Sequence, residues 1–308
     1  MVQFCVLGPV EIRDERTAST IVPPGAKQRA LLGALVAMAG QAVPAPRLIE
    51  EVWADRPPAN ASNALQAHVL RLRRLLPAPA PGGPRHEWIV TGPLGYELRP
   101  GTGTVDAQLF RRLVSEGRGR AVDDPERAGE LLRSALALWR GPAFHGGVRG
   151  EICAVQAAQL DEARLLATEA LYDAGLRAGR HREIVGELDE LTVAHPTRER
   201  FHEQLMVALD RCGRRADALG VYDRARRRMR QELGVEPGPA LRRRAHALAR
   251  HDMVTPTAEV PHGAAATTVP GRGGEIARLR QRIELLSIEQ RELKRRFDAL
   301  VAQEAARA

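Results

Sequence analysis

The sequence predicts a mainly α-helical protein with a mixed α+β head, an all-helical body and a separate helical tail. Three observations predict it. Strand-like apolar alternation is confined to the first hundred residues. Residues from about 105 to 252 read as helix after helix, without such alternation. A narrow apolar seam repeating every ~3.5 residues runs along 275–306.

The head opens with Val2, Phe4, Val6, Val10 and Ile12, a β start broken by the Gly8-Pro9 turn. Leu31, Leu35 and Met38 at helical spacing predict a helix over 27–40. A short helix is expected over 46–54 and a third over 60–76. Trp88-Ile89-Val90-Thr91 and Tyr96-Glu97-Leu98 flank Gly92-Pro93-Leu94-Gly95 and read as a hairpin. The second and third helices, joined by 55–59, form a helix-turn-helix, and the hairpin is its wing. Residues 1–100 are therefore expected to be a winged helix-turn-helix.

In the third helix Leu65, Val69, Leu72 and Leu76 make one buried stripe. At about 100° per residue, Asn63, Ala67, Leu70 and Arg74 point away from it. Gln66 and Arg73 lie on one flank and Arg71 on the other. Asn and Gln can pair with adenine, Arg can fork onto guanine, and Ala or Leu can touch a thymine methyl. His68 lies beside the apolar stripe, and an ordinary solvated helix face remains the alternative for the rest.

The body, 101–252, carries an internal repeat. Leu171-Tyr172 followed by Gly179-Arg180 recurs as Leu205-Met206 followed by Gly213-Arg214, a period of 34 residues. That is the period of tetratricopeptide repeats, in which pairs of antiparallel helices stack. Residues 253–274, rich in Pro, Thr, Ala and Gly, are expected to be a flexible linker. Over 275–306, Ile276, Leu279, Ile283, Leu286, Gln290, Leu293, Phe297 and Leu300 fall at successive a and d positions. This seam predicts a coiled coil and a homodimer, with Gln290 as the one polar position that sets register.

Composition narrows the function. The chain has 308 residues and a formal net charge of +8, which favours anionic partners. Lys27 and Lys294 are the sole lysines in an arginine-rich chain. The charge is uneven: residues 1–100 hold 11 basic against 8 acidic side chains, whereas 211–251 hold 12 against 4. The dense groups are Arg224–Arg230 and Arg242–Arg244, which form either a solvated face or a contact for DNA phosphate or an acidic protein surface. Cys5, Cys153 and Cys212 lie far apart and predict neither a zinc site nor a disulfide framework. No signal peptide or membrane span is read, so a cytoplasmic protein is expected. The sequence lacks GxxxxGK[ST], GxSxG and HExxH, so neither an enzyme nor a cofactor is expected.

GAKQRALLGALVAMAGQAVP, LIEEVWAD, NALQAHVLRLRRLL and IVTGPLGYEL together resemble the OmpR/PhoB-type winged helix, in the form found in Streptomyces antibiotic regulatory proteins. ALALWRGPAF and the stretch 195–242 resemble the bacterial transcriptional activation domain of the same family. The resemblance covers about 1–252. It implies an activator that binds promoter direct repeats in double-stranded DNA as side-by-side protomers. It also implies recruitment of the RNA polymerase holoenzyme, often to genes of a secondary-metabolite cluster. It places Asn63, Gln66, His68, Leu70, Arg71, Arg73 and Arg74 at the major groove and Trp53 near a phosphate. Two positions depart from the family pattern. Gly92 stands where some relatives carry a wing arginine, and Glu97 is acidic, so wing contacts reduce to the backbone around Thr91 and Gly92. A repressor with the same DNA contacts, or a helical-repeat scaffold that binds protein, is the alternative.

Overall fold

The computed structural model describes residues 1–77, 88–146 and 150–251. The linker and coiled-coil expectations over 253–306 lie outside the described residues. Among those described, mainly helical structure follows a mixed α+β head, as the sequence predicts.

The head holds two sheets. In the first, β1 (Val2–Cys5) pairs antiparallel with β2 (Glu11–Asp14), which pairs with β3 (Ser19–Ile21). The second sheet has the order β4-β6-β5, from β4 (Ala42–Val43), β5 (Ile89–Gly92) and β6 (Gly95–Leu98). Between them run α1 (Ala26–Ala37), α2 (Ala45–Trp53) and α3 (Ala61–Leu75). These three helices fall within three residues of the predicted bounds. Strands β3 and β4 were not anticipated: at three and two residues they are too short to show a period. The hairpin is tighter than predicted, because Gly92 pairs with Gly95 and leaves a loop of Pro93 and Leu94. Gly95, at φ +134°, has no room for a side chain: a Cβ there would stand 2.1 Å from the Val43 carbonyl oxygen.

The third unanticipated strand, β7 (Thr104–Val105), lies past residue 100 yet pairs parallel with β1, Gln3 opposite Thr104. Asp106, which follows it and opens α4 (Asp106–Arg120), is buried. Its carboxylate accepts from the Val6 and Leu7 N–H groups at 2.9–3.0 Å and from Arg140 at 2.9 Å. Arg140 also reaches Glu11 at 2.6 Å. Beyond α5 (Pro125–Leu136), the segment 139–146 straps the β1–β2 turn. Arg140, Phe144 and His145 N–H donate to the Leu7, Val6 and Gly8 carbonyls at 2.8–2.9 Å. Gly8 is fixed by this strap, since a Cβ would come within 2.9 Å of the Arg140 Cβ.

The helical body follows: α6 (Glu151–Arg177), α7 (His181–Ala194), α8 (Glu199–Arg211), α9 (Arg215–Leu233) and α10 (Pro239–His251). Helix α6, rich in the strong helix formers Ala, Leu and Glu, runs through two apolar cores. Its first half, with Ile152, Cys153, Ala157 and Leu160, belongs to one continuous core with β1, α1 and α3. Ala167 still belongs to that first core, and the end of the helix, from Tyr172, belongs to another with α7–α10. The 34-residue repeat has a structural counterpart. Gly179 and Gly213 end α6 and α8 at φ +74° and +75°. Arg180 N–H donates to Gly175 and Arg214 N–H to Leu209, the same backbone bond five residues back in each hairpin.

Helix α2 is joined to α6 by another buried carboxylate. Glu51 accepts from the Ile152 N–H at 2.7 Å and the Cys153 N–H at 3.0 Å, satisfying two amides of the first turn of α6. Gly150 packs so closely on Glu51 that a Cβ would lie 2.5 Å from it. Glu51→Ala strands both amides in a buried place and is expected to cost about 1–3 kcal/mol. Urea unfolding of the variant beside the parent checks this, and an unchanged midpoint would contradict it.

Candidate nucleic-acid interface

Helix α3 is held from beneath by its apolar stripe. Leu65, Val69, Leu72 and Leu76 are buried in the core shared with α1 and α2. Asn63, Gln66, Ala67, Leu70, Arg71 and Arg74 are exposed, as the sequence predicts. Leu70 keeps 48% of its surface in water.

Arg73 departs from the sequence expectation. It is half-buried, and its guanidinium turns toward the wing. It donates twice to the Ile89 carbonyl, at 3.0 and 2.8 Å, and once to the Thr91 hydroxyl at 2.8 Å. The fork geometry of arginine fits this role: one planar group spans two acceptors, on Ile89 and Thr91 of the same strand. Arg73 therefore ties the wing to α3. Thr91 and Gly92 are exposed at the wing edge, and Gly92 faces open space. The acidic Glu97 pairs with Arg99, just past the end of its strand, at 2.7 Å. That ion pair holds the Glu97 carboxyl below the usual carboxylate range.

On the other flank of α3, His68 lies against Trp53 with ring centroids 5.6 Å apart. Trp53, ending α2, is nearly buried, and Lys27 of α1 stands over its ring with Nζ 5.4 Å from the centroid. Burial pushes the His68 pKa down, and the charges of Arg71 and Lys27 push it further the same way. Sequence reasoning missed Lys27 as part of this face. Its one signal was being one of two lysines in an arginine-rich chain.

The basic density of α9 is largely neutralised. Arg224 meets Asp189 at 3.6 Å, Arg226 and Arg230 share Glu236, and Arg228 meets Glu232. Arg242 and Arg243 of α10 are exposed, with no ion-pair partner among the described residues. Among the described residues there is no group of His, Cys, Asp and Glu placed to hold a metal ion, and no helix long and apolar enough to cross a membrane.

A helix-turn-helix with a β-hairpin wing, followed directly by helical hairpins, matches known sequences in that order. Residues 20–97 match the model of the transcriptional regulatory protein C-terminal domain, and residues 105–249 that of the bacterial transcriptional activator domain. The transcriptional regulator RedD of Streptomyces coelicolor is 42% identical over 258 residues, covering 82% of this chain and 72% of RedD. The regulatory protein DnrI of Streptomyces peucetius is 36% identical over 258 residues, covering 81% of this chain and 93% of DnrI. The chain belongs to the Streptomyces antibiotic regulatory proteins. It is a transcriptional regulator of that type, with a DNA-binding winged helix. Among solved structures, Mycobacterium tuberculosis EmbR in complex with a low-affinity phosphopeptide superposes with a TM-score of 0.76 at 31% identity. That match covers 81% of this chain and 65% of the EmbR chain, so this chain spans under two thirds of EmbR.

The Arg73 link is testable without DNA. Arg73→Ala removes three hydrogen bonds between α3 and β5 and is expected to speed amide hydrogen exchange in the wing strands severalfold, with α1 and α6 unchanged. Wing protection equal to the parent's would show that Arg73 does not hold the wing.

Proposed function

We propose that the chain is a sequence-specific activator that reads DNA direct repeats through α3 and recruits the RNA polymerase holoenzyme, for genes of a secondary-metabolite cluster. The observation that carries the DNA reading is the outward face of α3, where Asn63, Gln66, Ala67, Leu70, Arg71 and Arg74 stand exposed above a buried stripe. These types can address base edges in a major groove: amides to adenine, guanidinium to guanine, Leu70 and Ala67 to a thymine methyl. The wing approaches DNA through Thr91 and Gly92, and Trp53, at the end of α2, is read as lying near a phosphate. The direct-repeat, polymerase and gene-cluster parts rest on membership of the family.

The stacked hairpins α6–α9 are read as a tetratricopeptide-like surface for protein, supported by the repeated left-handed glycines. The seam from Ile276 to Leu300 is read as a homodimer interface that raises the effective concentration of the second head on a tandem site. A monomer by light scattering of the whole chain at micromolar concentration would rule that interface out.

The reading is tested by selecting duplexes from a random-sequence library with the whole chain and then measuring binding of Arg71→Ala and Arg74→Ala. Removing an arginine that bonds a base edge costs about 1–3 kcal/mol and relaxes preference at one position. Both variants binding selected and random duplexes like the parent would overturn α3 as the reader. Transcription from a promoter carrying the selected repeats, with purified polymerase, separates an activator from a repressor.

A further inference from the structure

On the proposed reading that α3 enters the major groove, the wing and the Trp53 cluster lie on opposite flanks of that helix. Arg73 faces the wing. His68 and Arg71 lie on the other side, three residues apart, and on one helix face such neighbours adjoin. A helix in a groove has a phosphate backbone on each side, so both flanks need a description. The wing supplies one.

The second flank carries cations without counter-charges. Lys27 is exposed and stands over the Trp53 ring. The ring of Trp53 is in turn packed on His68. Among the described residues neither Lys27 nor Arg71 has an acidic partner, in a chain where most surface arginines of α9 do. The charges of Arg71 and Lys27 both reach His68 and push its pKa the same way, down.

Helix stability does not account for Lys27. It stands in the first turn of α1, where a cation opposes the helix dipole. Nor does burial, since the ammonium is in water. The Trp53 face does account for its place: an aromatic face attracts the ammonium and narrows its wandering, so a long flexible side chain is held near the flank of α3.

We propose that Lys27, steered by the Trp53 ring and flanked by His68 and Arg71, binds a DNA backbone phosphate on the side of the recognition helix opposite the wing. A point-charge ammonium fits a bond that positions without reading sequence. His68 contributes its ring to the platform, and Arg71 adds charge to the same field.

The test uses the whole chain, a duplex selected by the parent from a random library, and a scrambled duplex, with binding measured by fluorescence anisotropy across salt. Lys27→Gln is expected to bind both duplexes about eightfold more weakly at about 0.1 M salt, and to flatten the log–log salt slope by about 0.9, the signature of one phosphate neutralised. Lys27→Arg is expected to restore the slope. Methylphosphonate substitution should locate one linkage whose neutralisation weakens the parent and leaves Lys27→Gln unaffected. Equal melting temperatures establish that the variants are folded. If the parent binds and Lys27→Gln keeps its affinity and slope, Lys27 does not bind phosphate, while the reading of α3 stands. Weaker binding with an unchanged slope would also overturn the proposal, because Lys27 would then act through packing on Trp53. If the parent binds no duplex at all, the reading of α3 fails and this inference with it.

Discussion

Two buried carboxylates hold the DNA-binding head to the helical body, and the rest of the architecture depends on them. Asp106 gathers the Val6 and Leu7 amides and the Arg140 guanidinium. Glu51 gathers the first amides of α6. Both are charge-assisted bonds to backbone groups that would otherwise be orphaned in a buried place. A buried carboxylate without such partners costs several kcal/mol, so each of these side chains requires the geometry that satisfies it. The junction is therefore specified from both sides. A slip of the strap 139–146 along β1 would leave Asp106, Arg140 and the β1–β2 turn unpaired together.

This junction has a consequence for the reading helix. Glu51 sits on α2, two residues before Trp53, and α2 packs on α3 in the same core. Helix α6 is thus fastened to the scaffold of the helix-turn-helix, and the apolar core runs without a break from β1 to the middle of α6. The face of α3 is presented by a frame that includes the first half of the activator domain. Arg73 completes the frame by fixing the wing to α3. Each such bond removes freedom from the free protein that DNA would otherwise have to remove on binding, which is the physical content of preorganisation.

Much of this was legible in the sequence because it is local. The bounds of α1–α3 follow from apolar spacing, and the stripe Leu65–Leu76 separates the buried from the exposed face of α3 residue by residue. The glycines at 179 and 213 mark helix ends because each takes a left-handed conformation. What escaped was long-range. Strand β7 is two residues long and gains meaning from Gln3 and Phe4, about a hundred positions away. Glu51 looks like any exposed acid on a short helix, and its partners are backbone amides, which carry no residue-type signal. Arg73 reads as a groove-facing arginine until the Ile89 carbonyl is placed beside it. The family models meet between 97 and 105, where the chain passes from one sequence domain to the next, while the core crosses that point.

The central claim is that head and proximal body fold as one unit. Native-state hydrogen exchange across a urea series, resolved by peptide mass spectrometry, tests it most directly. The account predicts that amides of β1–β2, α1 and the first half of α6 open together, with the same free energy and the same urea dependence. Opening of β1–β2 and α1 at lower urea, with α6 still protected along its whole length, would contradict it.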